Sequence, residues 1–418
     1  MTTKQKKMLK LPITNIFAKG DYSVKLYLGS ERQPAYVVLD TGSSTLAIHD
    51  EVYHPQKDQN LTPTTYAQDV TYGVGGWAGP VVHTTLDLHT GDEDIPLNNA
   101  PIAIMTSEQE NFLTVDGIWG LAYHHLNKAY NMEEYLKENE VNPANTYPWP
   151  FPLDGQALNI RDFKHLLQQQ PEHDITPYFT ELEEHQLVAN KFAFYTKRSS
   201  IHITHDNAQE ADLMADPLNQ GFFIIGSGEE HTELYEGDFA AVKILHDTYY
   251  NANLKNVRVE GCADFVAPPL DKAHINTAFT NAIIDSGTTL AVLQHSIYQY
   301  IIESFTQINA AFADCLAPFK NFDGKEHGIP QEQVKLEEWP NIYFTFEGEF
   351  EDVTLTCTPQ DYWQVNAPQH GLISFKFLSQ LPNWPEQSIL GLPVMNPYFC
   401  IFDRSEHQLG VVKFARRK

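Results

Sequence analysis

Positive charge is scarce in this chain: 28 Lys and Arg stand against 54 Asp and Glu, a formal net charge of −26. That balance disfavours nucleic acid and anionic membranes as partners, since neither polyanion is drawn to an acidic surface. It also leaves a surface that tolerates acid, because exposed carboxylates neutralise near pH ~4. Cysteine is scarce as well. Cys262, Cys315, Cys357 and Cys400 are far apart, with no C-x-x-C pair, so neither a zinc knuckle nor a dense disulfide framework is encoded, and free thiols are expected. The 18 histidines contain no H-E-x-x-H. His124 and His125 are adjacent, His202 and His205 lie in strand-like surroundings, and no metal or other cofactor is expected. No window approaches the roughly 20 apolar residues of a membrane helix. The basic start, residues 1–10, lacks the apolar run of a signal peptide, so cytoplasmic localisation is expected. Asn60-Leu61-Thr62 is a formal glycosylation acceptor but is followed by Pro63, and no modification is expected there.

What is present is a mostly β pattern. Apolar residues are 42% of the 418 and charged residues 20%, the composition of a globular protein with a large core. Short alternating runs at 22–28, 81–88, 191–195, 257–259, 341–346 and 353–357 are bounded by Gly, Pro and Asn and read as strands. Helical periodicity is confined to 295–312, where Ile297, Ile301, Phe305, Ile308 and Phe312 share a face, and to a shorter stretch at 162–168. Between 127 and 175 the composition shifts to Asn, Pro, Glu and Gln, and a long surface insertion is expected rather than a domain.

Two stretches nearly repeat one another. Tyr36-Val-Val-Leu-Asp40-Thr41-Gly42-Ser43 and Ala282-Ile-Ile-Asp285-Ser286-Gly287-Thr288 each deliver one Asp from an apolar run into a glycine turn rimmed with hydroxyls. Each is followed, far downstream, by an apolar pair closed by Gly: Ile118-Trp119-Gly120 and Ile389-Leu390-Gly391. A unit used twice suits a pseudo-twofold pair of lobes with a site at the seam. The chemistry follows from the acids. Two carboxylates about 3 Å apart cannot both ionise and share a proton. The ionised member then acts as base to a water, and the protonated member stabilises the oxyanion that forms. In this scheme Gly42 and Gly287 permit the sharp turn, Thr41 and Ser286 lock the seam, and Ser43 and Thr288 bond the outer carboxylate oxygens.

These motifs together resemble the pepsin-like aspartic peptidases over most of the chain. The signature Asp-Thr/Ser-Gly-Ser/Thr falls at 40–43 and 285–288. The family's flap, a glycine-rich hairpin carrying a Tyr over the active site, matches Val70-Thr-Tyr72-Gly73-Val-Gly-Gly76. Phe222-Phe-Ile-Ile-Gly226 resembles the strand at the lobe junction, and Tyr398 to Arg404 with Leu409 to Val412 resembles the C-terminal hairpin. The resemblance implies an all-β, bilobal pepsin-like fold with an interlobe cleft and a flap. Its lobes would span 1–228 (with the 127–175 insertion) and 229–418, joined near 225–232. It implies an aspartic endopeptidase with Asp40 and Asp285 catalytic, Tyr72 and Gly73 on the substrate, an acidic optimum and sensitivity to pepstatin. Substrates would be polypeptides with apolar residues flanking the scissile bond, met by a monomer.

The chain also departs from the family. With the first strand read at Tyr22, no prosegment is expected ahead of it. No cysteine pair matches the family's disulfides, and the Trp that commonly supports the flap Tyr is replaced by Ala47. Trp77 substitutes for it or nothing does. These traits are similar to the bacterial, intracellular pepsin homologues such as the shewasins. Three functions compete. An endopeptidase needs both Asp motifs, and a pepsin-fold binding protein that has lost catalysis normally shows one damaged, whereas both are intact here. A glycoside hydrolase places its acids roughly 5–10 Å apart and does not demand twin Asp-Gly turns. A phosphate-binding reading of residues 72–79 fails because the G-x-G-x-x-G spacing is missing and strand alternation follows it.

Overall fold

The computed structural model describes residues 6–72, 75–91, 93–108, 115–151, 153, 160–405 and 409–418, with the side chains of 71, 72, 75, 107, 108, 160 and 161 excepted. The chain is mostly strand and divides into two compact units: residues 1–7 with 23–188, and residues 8–22 with 189–418.

In the first unit the strands run in the order Glu172–Asp174, Lys128–Asn131, Thr62–Tyr72, Gly75–His89, Asp94–Met105, Leu46–His49, Gly117–Gly120, Gln33–Asp40 and Asp21–Leu28. A further pairing of Tyr27 with Asp87 and Leu28 with Leu86 joins Asp21–Leu28 back to Gly75–His89, so six of these strands close into a barrel-like ring. Closure removes free edges and lets one face of each strand fill the interior. Val24, Leu26, Leu28, Val37, Leu39, Leu86 and Leu88 are all buried there.

In the second unit an antiparallel sheet runs Leu9–Ala18, Gln220–Ile225, Lys191–Tyr195, Tyr398–Asp403, Val411–Arg417 and Tyr235–Lys243, beside smaller sheets. The hairpin Ile342–Phe346 with Val353–Cys357 shows why the alternation read correctly. Ile342, Phe344, Phe346, Val353, Leu355 and Cys357 point inward, while Thr345 and Thr354 face outward and hydrogen-bond to each other at 2.9 Å.

Two expectations need correction. The first strand is Leu9–Ala18, ahead of Tyr22; its partner Gln220–Ile225 is distant in sequence, and its alternation lapses after Ile13. The helix predicted over 295–312 is His295–Ile308, ending at an extended Asn309. Ile297, Ile301 and Phe305 are buried, Ile308 is exposed, and Phe312 opens a separate short helix, Phe312–Leu316, stacked on Trp339 at 3.8 Å between ring centroids. The 127–175 insertion adds, in its described part, two strands and two helices to the first unit, Glu133–Glu138 and, over the stretch read as helical at 162–168, Ile160–Leu167.

All four cysteines are free thiols. Burial pushes the Cys357 and Cys400 thiols well above their ordinary range, which keeps them protonated and unreactive. Among the described residues no helix is long and apolar enough to cross a membrane.

Candidate active site

Asp40 is the last residue of its strand and Asp285 the residue just after its own, and each strand is fenced by two others. In the first unit Gln33–Asp40 runs parallel to Gly117–Gly120, with Asp40 opposite Gly120. The chain then turns and returns as Leu46–His49, antiparallel to that same strand and parallel to Asp94–Met105. The second unit repeats the plan. Ala282–Ile284 runs parallel to Ser388–Leu390, and Ala291–Leu293 is antiparallel to it and parallel to Phe377–Ser379. The downstream strand therefore threads between the two arms of each Asp turn. It fits only because it ends in glycine: a Cβ on Gly120 would lie 2.5 Å from the Ser44 backbone, and one on Gly391 2.2 Å from the Thr288 and Leu290 carbonyl oxygens.

The carboxylates are held by the same pair of donors. Asp40 Oδ1 accepts from the Gly42 N–H at 2.8 Å, and its Oδ2 accepts from the Ser43 hydroxyl. Asp285 Oδ1 accepts from the Gly287 N–H at 2.9 Å, and its Oδ2 from the Thr288 hydroxyl at 2.7 Å. One backbone and one side-chain donor fix the plane of each carboxylate. Both acids are buried, as are Thr41 and Ser286. The threading strands add backbone pins: Leu121 N–H to the Asp40 carbonyl at 2.7 Å, Ala122 N–H to Ser43 at 2.8 Å, and Leu392 N–H to Thr288 at 2.9 Å.

The glycine-rich hairpin joins Thr62–Tyr72 to Gly75–His89, with Val70 opposite Trp77 and Tyr72 opposite Gly75. Gly73 lies outside the described residues, and Tyr72 is described through its backbone alone. Trp77 is fully buried against Ala47, Ala103 and Met105, with Val70 packed on them. The indole thus fills the space beside the small Ala47, and its Nε1 has no hydrogen-bond partner among the described residues.

Several supporting groups escaped the reading of the sequence. The Asp116 carboxylate accepts the Tyr36 N–H at 2.8 Å and so pins the start of the Asp40 strand. The Asn127 side-chain oxygen accepts from the Thr45 hydroxyl at 2.9 Å and from Gln68 Nε2 at 2.8 Å, linking the Asp40 turn to the hairpin. In the second unit His202 is held on both ring nitrogens, its Nδ1 meeting Asp216 at 2.5 Å and its Nε2 meeting Asn366 at 3.1 Å. The only sequence signal for these was polar residues next to apolar strands, a pattern shared with ordinary turns.

The mostly β fold is that of the aspartic peptidases. The family model described as eukaryotic aspartyl protease matches residues 178–414, more than half of the chain, and the chain belongs to that family. The matched span contains Asp285 and leaves Asp40 outside it. Pepsin-3 of Oryctolagus cuniculus is 20% identical over 414 residues, covering 94% of this chain and 81% of its own. Pepsin A of Gallus gallus is 19% identical over 415 residues (96% and 86%), and a vacuolar aspartic protease of Candida albicans is 22% identical over 415 (96% and 76%). The protein is a peptidase of the aspartyl class.

Proposed function

We propose that Asp40 and Asp285 form the acid–base pair of an aspartic endopeptidase, with a water held between them. One carboxylate takes the proton of the attacking water. The other, protonated, hydrogen-bonds the scissile carbonyl and stabilises the tetrahedral oxyanion. Thr41 and Ser286 steady the two turns, and the Ser43 and Thr288 hydroxyls and the Gly42 and Gly287 amides keep each carboxylate in plane. Tyr72 and Gly73, at the tip of the hairpin, close over an extended polypeptide whose apolar residues flank the cut. The observation that carries this reading is the same two-donor cradle built around each Asp on the same strand plan.

A shared proton makes the pH–rate profile bell-shaped on the acid side, and a mimic of the tetrahedral intermediate such as pepstatin inhibits. The enzyme works as a monomer in a reducing compartment, in the manner of the bacterial shewasin-type homologues. Its four free thiols support that placement. The test is cleavage of a denatured protein between pH 3 and 7 with and without pepstatin, alongside Asp40→Ala and Asp285→Ala. Each variant should lose about 10⁴-fold in kcat. Near wild-type turnover in either one would remove the assignment, and a folded wild type that binds peptides without cutting them would make the chain a binding protein.

A further inference from the structure

Beyond Asn127, the segment 127–175 does not touch the Asp turns described above, yet it is built into the hairpin that carries Tyr72. Its stem pairs Lys128–Asn131 with Glu172–Asp174, and the first of these strands continues onto the hairpin, Tyr130 opposite Ala67 and Asn131 opposite Tyr66. Its helix Ile160–Leu167 sets Phe163 and Leu167 against Ala67 and Ala78, one residue from each hairpin strand. Trp149 and Phe151 back Phe163, with ring centroids 5.1 and 4.9 Å from it. From this helix the Lys164 ammonium donates to the Val70 carbonyl at 2.8 Å and lies 4.0 Å from the Asp69 carboxylate. Both side chains are largely shielded, at 14% and 7% exposure, so the contact works in a weakly screening environment. Gln68 ties the same strand to Asn127 and to the Lys128 carbonyl, each at 2.8 Å.

We propose that the described part of 127–175 is a brace that sets the resting position of the hairpin's two strands, with Lys164 as its positioning residue. The proposal rests on the reading that this hairpin covers substrate. Trp77 holds one face of the hairpin against Ala47, and the brace holds its outer edge and other face, so the two strands are held from both sides. A ligand's apparent affinity scales with the fraction of protein in the competent position. Loosening the brace therefore raises KM and leaves the chemical step alone.

Lys164→Met should raise KM for a peptide substrate about tenfold, the factor that a charge-assisted hydrogen bond supplies, with kcat within about twofold. Lys164→Arg, which keeps the charge and a donor, should restore most of the loss. Asp69→Asn/Lys164→Met removes both charges together and stays readable if the single variant fails to fold. Lys128→Ala, which breaks the exposed pairs with Glu172 and Asp174, is the control and should match wild type. Hydrogen exchange across Thr62–Tyr72 and Gly75–His89 is read in parallel and should speed up in the Lys164→Met and double variants alone. Wild-type exchange and KM in the double variant would overturn the brace. So would a fall in kcat at constant KM, the mark of a merely less stable enzyme. Exchange reports the brace even in a chain that cuts nothing, whereas the Asp40→Ala and Asp285→Ala assays judge the peptidase reading, so the two can fail separately.

Discussion

At the scale of single residues, each carboxylate depends on a hydroxyl three positions on, and the two hydroxyls are offered by different residue types. Ser43→Ala or Thr288→Ala removes one donor and leaves the glycine amide in place. Either should lower kcat about tenfold without unfolding the chain, as steady-state kinetics beside a thermal melt would show. Ala47 and Trp77 make a second residue-scale pair. Ala47→Trp, which restores the residue common in the family, puts a second indole where Trp77 already packs and should destabilise by about 1–3 kcal/mol. Trp77→Ala alone empties the same space and should cost about 3–5 kcal/mol. Ala47→Trp/Trp77→Ala should recover part of both losses, because neighbours that share a cavity do not add. Additive melts would show that the two positions do not exchange volume.

At the scale of elements, the twin Asp turns were legible because a β-branched strand, a carboxylate and a glycine turn recur in one order, and a local signal needs no partner to be read. The glycines that close the threading strands were legible for the same reason, and Gly120→Ala tests their role. Its methyl would meet the Ser44 backbone, which cannot swing away as a side chain can, so the midpoint of chemical unfolding should drop by the equivalent of about 2–3 kcal/mol. What the sequence hid were elements whose identity depends on a distant partner. Leu9–Ala18 keeps period two only as far as Ile13 and contains Pro12, yet Leu9–Thr14 pairs with Gln220–Ile225. Ile308 keeps the helical period of its neighbours but falls at the end of its helix, where no core is left to receive it. The helix Ile160–Leu167 was legible at 162–168, but it is too short to announce its target, the small apolar contact of Phe163 and Leu167 with the hairpin.

At the scale of the whole molecule, an acidic chain proposed to work in acid must keep its ion pairs as pH falls. Glu229 in the second unit is one place where it does. Burial raises its carboxyl, but the Lys191 and Lys413 ammonium groups, each at 2.8 Å, outweigh burial and bring it from the ordinary 4.5 down to about 2. Lys413 also bonds Asp403 at 3.0 Å. A depressed folded value means that the pairing stabilises the protein above pH 4.5 and loses that contribution only as pH falls toward 2. Glu229→Gln should therefore lower stability by about 1 kcal/mol at pH 6, a figure kept small by solvent screening, and the gap from wild type should close near pH 2 in melts across that range. Asn127 works over shorter distances with a single atom. Because its one amide oxygen receives both Thr45 and Gln68, the hairpin proposed as a gate and the seat of the proposed first acid share a hinge pin. A lineage or an engineer that widens the gate to admit bulkier chains by changing this residue will also unsettle the acid, so breadth of diet and speed of cutting should trade against each other in variants at position 127.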